Sequence, residues 1–318
     1  MATTTNVTSN YAGKEAGVII GKAFKEADTL QRQLVSIYQN VNYKLNMRLI
    51  QYADGTKAYS CIADGGFTTV ADGTITLSEK VLEPVKLMLP LQVCKEDFRQ
   101  TWSEDLIGDS ASNPNMPQDI LEAIQLEVLQ STAERTDSLI WTGDSTNTNE
   151  WDGFITLWGS DANVIKANNG ITPAGAAITS SNVFAEFAKV KDAIPYKLRR
   201  KSLIWAVSPD VADAYTQKLI ENGAANGLGG NANTGLVYGR YNIEVINGLP
   251  DNTVVVYQRE NLAFGTGLLG DHNELSVVDE DEIGLLTGQV RMKMVYNGGV
   301  QYANSDEIVW YLSTTAPA

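Results

Sequence analysis

Histidine and cysteine are almost absent: His272 is the only histidine, and Cys61 and Cys94 are the only cysteines. A single histidine excludes a paired-histidine metal site, and a Ser-His-Asp triad would have to use a residue in a polar loop. No G-x-S-x-G elbow occurs. The two cysteines form no CxxC pair and no disulfide framework, and are expected as buried thiols. Positive charge is also scarce. Lys and Arg number 24 against 38 Asp and Glu, a net charge of -14, which repels nucleic acid and anionic lipid. No run of 18 apolar residues exists, and the start, MATTTNVTSNYAGKEAG, has no basic region followed by an apolar one. The expectation is a protein made in a cytoplasm that stays there or leaves by lysis, with no membrane partner.

What is present is an ordinary folding composition, 43% hydrophobic and 19% charged over 318 residues. That length supports one large domain or two interleaved ones. Residues 1 to 11 are rich in Thr, Ser and Asn and read as an arm with little to bury. From Ala12 to about Ile50, Leu30, Leu34, Ile37, Val41, Leu45 and Leu49 recur every three to four residues, which predicts an amphipathic helix. Three turn signals, Asp54-Gly55, Asp64-Gly65-Gly66 and Asp72-Gly73, then bracket the strand-like runs KAYSCI and FTTV. This predicts a long hairpin whose own core would be tiny, so it needs something else to lean on.

Val85, Leu87, Leu89, Leu91 and Val93 alternate with more polar positions and predict a half-buried strand, with Pro90 marking an edge or bulge. Ile120, Leu121, Ile124, Val128, Leu129, Leu139 and Ile140 predict one long helix from Pro117 to Trp141, closed by Gly143. Beyond it the texture becomes mixed α/β. Val183, Phe187, Val190 and Ile194 mark a helix ended by Pro195; the strand SLIWAV follows, and Ser208-Pro209 opens a helix carrying Val211, Tyr215 and Leu219. The strands NIEVI, TVVVY and LAFGT come next, with a flexible glycine-rich loop at residues 223 to 235 before them. Val290, Met292, Met294 and Tyr296, then Ile308, Trp310 and Leu312, predict two closing strands.

Each candidate for chemistry has a plainer reading beside it. Gly265, Gly267 and Gly270 have G-x-G-x-x-G spacing, but no amphipathic helix follows and no acid stands about twenty residues on, so a glycine-punctuated turn is the better account. Gly17 to Ala23 falls one residue short of a phosphate-binding loop. The stretch DSLIWTGDSTNTNEWDGF fails as an EF-hand because Asn149 stands where the sharp turn needs glycine, which leaves only a looser calcium site of Asp144, Glu150 and Asp152. Asp279 to Glu282 are four consecutive acids whose side chains diverge on any regular backbone. Trp141, Trp151 and Trp158 suit either a sugar-stacking platform or core anchors. The basic cluster Lys197, Arg199, Arg200 and Lys201 reads as a solvated or inter-subunit face.

The order of elements resembles the tailed-bacteriophage major capsid protein family, whose Hong Kong ninety-seven fold is shared by encapsulins. The stretch AERTDSLIWTGDSTNTNEWDGF is similar to the family's spine-helix exit, and RKSLIWAVSPDVADAYTQ to its strand, Ser-Pro turn and helix. The resemblance covers the chain from about residue 48 onward. It implies an α+β fold with an N-terminal arm and helix (1–50), an extended hairpin loop (51–82), a peripheral domain with a spine helix (83–142), an axial α/β domain (143–272) and return strands of the peripheral domain (273–318). DSLIWTGDSTNTNEWDGF would then be the joint between the two domains.

The resemblance further implies a structural subunit and not an enzyme, with no cofactor and no metal. It assembles in a host bacterial cytoplasm into pentamers and hexamers of an icosahedral virion shell. Expected partners are other copies of the chain, a scaffold protein, a portal and decoration proteins, with double-stranded DNA enclosed without tight binding. Met1 favours a separate scaffold over a trimmed one. Lys57, Tyr59 and Phe67 of the hairpin are expected at inter-subunit contacts. The lysine–asparagine crosslink of the family's namesake maps loosely onto Lys57 with Asn297 or Asn304, aided by Glu307. An encapsulin-like nanocompartment keeps the fold and changes the cargo. A carbohydrate-binding or hydrolytic protein built on the tryptophans and acids near 141 to 158 is the alternative from another class.

Overall fold

The computed structural model describes residues 10–11, 28–41, 43–53, 74–94, 118–167, 177–222, 236–267, 275–281, 283–284 and 287–312. The chain first gives strand β1 (Asn10–Tyr11), helix α1 (Asp28–Gln31), strands β2 (Ser36–Tyr38), β3 (Leu45–Ala53), β4 (Thr74–Leu82) and β5 (Val85–Cys94), then helix α2 (Gln118–Thr142). Helix α3 (Phe154–Ser160), strand β6 (Ile165–Lys166), helix α4 (Val183–Ala193), strand β7 (Ile204–Val207) and helix α5 (Pro209–Glu221) follow. Strands β8 (Val237–Tyr238), β9 (Tyr241–Val245), β10 (Thr253–Tyr257), β11 (Leu262–Gly265), β12 (Leu275–Asp279), β13 (Gln289–Tyr302) and β14 (Val309–Leu312) complete it.

Strand β13 is the axis of the first sheet. Its period-two pattern buries Val290, Met292, Met294 and Tyr296 on one face. Along one side it pairs antiparallel with β5, from Gln289 opposite Cys94 to Gly298 opposite Val85. Along the other it pairs with β12 and then with β11. Strand β5 has β13 as its one partner among the described strands, which is why Pro90, having no N–H to give, is tolerated there. Leu87 is buried and Cys94, at the strand's end, is half-buried. The second sheet runs β6-β14-β10-β7-β9-β8, and helices α4 and α5 cover its core of Phe187, Trp205, Val211, Tyr215, Val254 and Tyr311. Pro209 in the first turn of α5 is where a missing N–H costs nothing.

Helix α2 is the predicted spine: its 25 residues span roughly 37 Å. Its C-terminal half buries Thr132, Ala133, Thr136, Asp137, Leu139, Ile140 and Trp141, the stripe that a 3.6-residue period produces. No described helix is long and apolar enough to cross a membrane.

Two expectations change. The amphipathic helix predicted to run to Ile50 is, in its described part, one helical turn followed by β2 and β3. Gln33 and Asn40 adopt left-handed φ of 52° and 61°, which a helix does not admit. The three-to-four spacing came instead from turns that bury Leu30, Leu34 and Val41. The hairpin is built from β3 and β4, and so starts before residue 51; KAYSCI, FTTV and all three turn signals lie outside the described residues. Strand β11 belongs to the first sheet and β14 to the second. The chain therefore exchanges sheets between β10 and β11 and again between β13 and β14.

The joint after the spine is set by two glycines. Gly153 N donates to Gly143 O at 2.8 Å, so the ends of the intervening loop touch. A Cβ on Gly143 would stand 2.3 Å from Trp151 O, and one on Gly153 2.7 Å from Trp141 O. Beneath them Trp141, Phe154, Trp158, Tyr257 and Trp310 form one aromatic cluster with ring centroids 5.5 to 6.2 Å apart. Gly153→Ala is expected to cost about 1–3 kcal/mol, the usual range for forced overpacking, while Gly159→Ala, where an added Cβ meets nothing within 4 Å, leaves stability unchanged or raises it. Urea unfolding of the two variants measures this.

Candidate assembly surface

Strands β3 and β4 pair over nine residues each, from Leu45 opposite Leu82 to Ala53 opposite Thr74. Neither joins either larger sheet. Because side chains alternate, Ile75, Leu77, Glu79 and Val81 share one face, and their cross-strand partners Ile50, Arg48 and Asn46 share it with them. Ile50, Ile75 and Leu77 are 67%, 66% and 69% exposed, and Val81 40%. On the neighbouring part of β5, Met88 is 57% exposed. A β-strand pair normally turns such a face onto a core; here it faces outward.

The hairpin's base, by contrast, is fastened to the body. Leu82 is fully buried, and a Cβ on Gly265 would stand 2.8 Å from its Cδ2. Gln301 Nε2 donates to Val81 O at 3.0 Å. Lys80 Nζ lies 3.3 Å from the centroid of the Tyr302 ring and 3.5 Å from Asp161 Oδ2. Tyr302 Oη donates to the same Asp161 Oδ2 at 2.7 Å. Burial holds the Lys80 ammonium below its ordinary pKa, against the opposing pull of Asp161. Burial and the bond to Asp161 raise the Tyr302 hydroxyl. For Asp161, burial pushes upward, but the bonds from Tyr302, Asn163 and Ser305 and the charge of Lys80 outweigh it, so the carboxyl titrates below the usual range. This cluster escaped the sequence reading, since its three residues are far apart in the chain and form no motif.

Of the candidate contact residues, Lys57, Tyr59 and Phe67 lie outside the described residues. The residues offered for a crosslink are engaged locally. Asn297 packs its amide against Gly267, Asn304 Oδ1 accepts from Asp306 N at 3.1 Å, and Glu307 pairs with Lys201 at 2.7 Å. The tryptophans are core anchors: Trp141 and Trp158 are fully buried and Trp151 is 2% exposed, so no sugar can stack on them.

The acids of the joint serve their own loop. Glu150 Oε2 accepts from Asp144 N, Asp152 Oδ1 from Ser145 N, and Asp144 Oδ1 from Thr146 N and Oγ1. Bonds from Thr146 hold the Asp144 carboxyl below its usual pKa. In the acidic run, Glu280 pairs with Arg291, while Asp279 and Asp281 accept from Asp281 N and Gly288 N; Glu282 lies outside the described residues, as do Gly270 and His272. Among the described residues no group of three or more His, Cys, Asp or Glu is placed to hold a metal ion.

The depressed carboxyl at the hairpin base sets a pH dependence. A carboxylate whose folded-state pKa is below its unfolded one contributes stability above the unfolded value, 3.8 for Asp161, and loses it as pH falls through the folded value. Asp161→Asn is therefore expected to be less stable than the parent at pH 7, with the difference shrinking below about pH 4. Urea unfolding of both proteins at several pH values gives the comparison.

No family model matches the chain, and no curated protein matches it in sequence. Solved structures do. The capsid of a native GTA particle aligns at 15% identity over 91% of this chain and 91% of that chain, with a TM-score of 0.57. The procapsid of satellite phage P4, which includes the size determination protein, aligns at 12% over 93% and 99%, with a TM-score of 0.54. A virus-like particle from Pyrococcus furiosus aligns at 11% over 93% and 97%, with a TM-score of 0.52. At such identities the likeness concerns the fold, and across nearly the whole chain that fold is the Hong Kong ninety-seven fold of tailed-phage major capsid proteins.

Proposed function

We propose that this chain is a major capsid protein, a subunit that tiles a closed icosahedral shell from pentamers and hexamers around phage double-stranded DNA. The observation that carries the reading is the hairpin: a two-stranded ribbon is marginal alone in water, yet this one turns Ile50, Ile75 and Leu77 outward. A neighbouring copy laid against that face removes the apolar surface from water and gives the ribbon the support it lacks. The likeness to assembled particles supports the same reading. The work proposed is geometric: the buried tryptophans and the internally bonded acids at the joint speak against the sugar-binding or hydrolytic reading built on them.

Scaffold, portal and decoration proteins are the further partners of this role, and the virion, assembled in a bacterial cytoplasm, its place. The fold alone also suits an encapsulin-like compartment, and the likeness to the Pyrococcus furiosus particle keeps that second reading. The content of purified particles, nucleic acid or protein, decides between the two. Covalent crosslinking through Lys57 is a separate question, which a denaturing gel of assembled particles answers: a ladder of covalent multimers would support it.

The double variant Ile50→Lys, Leu77→Glu, which sets opposite charges on facing positions, is expected to fold with stability within about 0.5 kcal/mol of the parent, as exposed substitutions do, and to lose assembly. Sedimentation, with scaffold supplied, measures it; undiminished assembly refutes the role given to the hairpin face. The free subunit, carrying a charge of -14, is expected to bind duplex DNA more weakly than roughly 10⁻⁶ M at physiological salt. Fluorescence anisotropy at two salt concentrations tests this, and tighter binding would assign a nucleic-acid role instead.

A further inference from the structure

Acids outnumber bases in this chain by 38 to 24, so a place where bases gather without ion-pair partners is unexpected. One exists at the edge of the second sheet. Lys191 at the end of α4, Arg199 and Arg240 line a cavity of about 510 Å³ with Tyr238, Gly239 and Tyr241. Lys197 and Arg200 flank Arg199 in the chain. None of these five cations makes an ion pair among the described residues.

The guanidinium groups are nevertheless held in place. Arg199 Nε donates to Ile194 O at 3.1 Å, and Arg240 stacks on the Tyr241 ring at 5.0 Å while donating to Tyr241 Oη and to Arg199 O. Gly239, at φ 64°, makes the turn that carries Arg240. Carbonyls and rings orient these groups without neutralising them. One acid lies nearby: burial, and after it the charge of Asp192, raises the Tyr238 hydroxyl. It lines no part of the cavity.

A recess of opposite sign lies at the other end of strand β9. Asp28, Glu134 and Asp137 line a cavity of about 700 Å³ with Ser138, Asn247 and Gly248. Asp137 turns inward to accept from Thr29 N at 3.0 Å, and Asp28 pairs with Arg32. Glu134 is exposed, its described partners being Gln130 at 3.2 Å and no base. Strand β9 itself accounts for roughly 15 Å of the separation between the two cavities, too far for one copy to neutralise its own pair.

We infer that the Lys191–Arg199–Arg240 cavity docks the acidic recess around Glu134 of a second copy of this chain. The two surfaces differ, so the contact is between unlike faces, the kind that builds rings when its rotation closes. Its contribution is register and partner choice more than raw affinity, because like charges meet in any slipped arrangement. This inference rests on the shell-subunit reading and adds to it a specific contact away from the hairpin.

The experiment is a charge swap read by sedimentation and negative-stain imaging over a range of concentrations and salt. Lys191→Glu with Arg240→Glu is expected to raise the concentration needed for assembly roughly tenfold or more. The milder Lys191→Gln, Arg240→Gln pair keeps the question open to measurement if the reversed variant melts early. Adding Glu134→Lys to the reversed variant is expected to restore most of the loss, whereas Glu134→Lys alone weakens assembly. Assembly unchanged by the reversal, or weakened without rescue by Glu134→Lys, overturns the proposal while leaving the shell reading intact. A parent protein that stays monomeric at every concentration with scaffold present overturns both. Stabilisation of the monomer by millimolar inorganic phosphate, lost in the reversed variant and with assembly unaffected, makes the cavity a free-anion site and also overturns the proposal.

Discussion

Everything in this structure hangs on a place where two backbones touch. The chain leaves the spine helix at Thr142 and enters the second sheet's side of the molecule through Gly143 and Gly153, whose peptide groups hydrogen-bond to each other. Only residues without a Cβ permit that approach. Once made, it sets Trp141 and Phe154 at contact distance, and those rings bring in Trp158 from the same helix as Phe154 and Tyr257 and Trp310 from two further strands. The core around the joint draws residues from both sheets, Tyr257 and Trp310 from one and Phe264 and Met292 from the other. The two sheets therefore share their packing, and a shift at either glycine is felt on both sides.

Much of this was legible beforehand, and where it was not the reason is physical. The spine announced itself through periodicity and flanking Pro117 and Gly143, because a long helix is a local structure with local signals. Strands β5 and β13 were readable for the same reason: alternation is written within each strand. The segment up to Ile50 misled because turns that bury Leu30, Leu34 and Val41 reproduce helical spacing. Strand β2 is held by parallel pairing with β11, a partner more than two hundred positions away, and no window of sequence contains that information. The hairpin base was invisible on the same grounds: Lys80 and Asp161 are separated by 81 positions, and Asp161 and Tyr302 by 141.

The acids of the joint offered in sequence no more than a loose calcium site, and in the structure they accept from loop N–H groups. The tryptophans suited either a platform or core anchors in sequence, and they are core anchors. What composition could not show is where the minority charge lies. Lys191, Arg199 and Arg240 come together only because α4, the turn after it and the β8–β9 turn meet at one sheet edge.

The last described strand is a late arrival in the sheet it joins. Strand β14 lies inside the second sheet, between β10 and β6, and supplies Val309 and Tyr311 to its core. Domains that can close early in synthesis do so N-terminus first, but this sheet lacks the strand next to its β6 edge until residue 312 is free to enter. A chain interrupted before that point presents an unfinished sheet with bare strand edges on β10 and β6, a target for proteases and chaperones and a poor match for any neighbour. Closure of this sheet therefore waits on a segment 52 positions beyond β10, from Tyr257 to Val309, and the sheet cannot be completed from its own neighbouring stretch of chain.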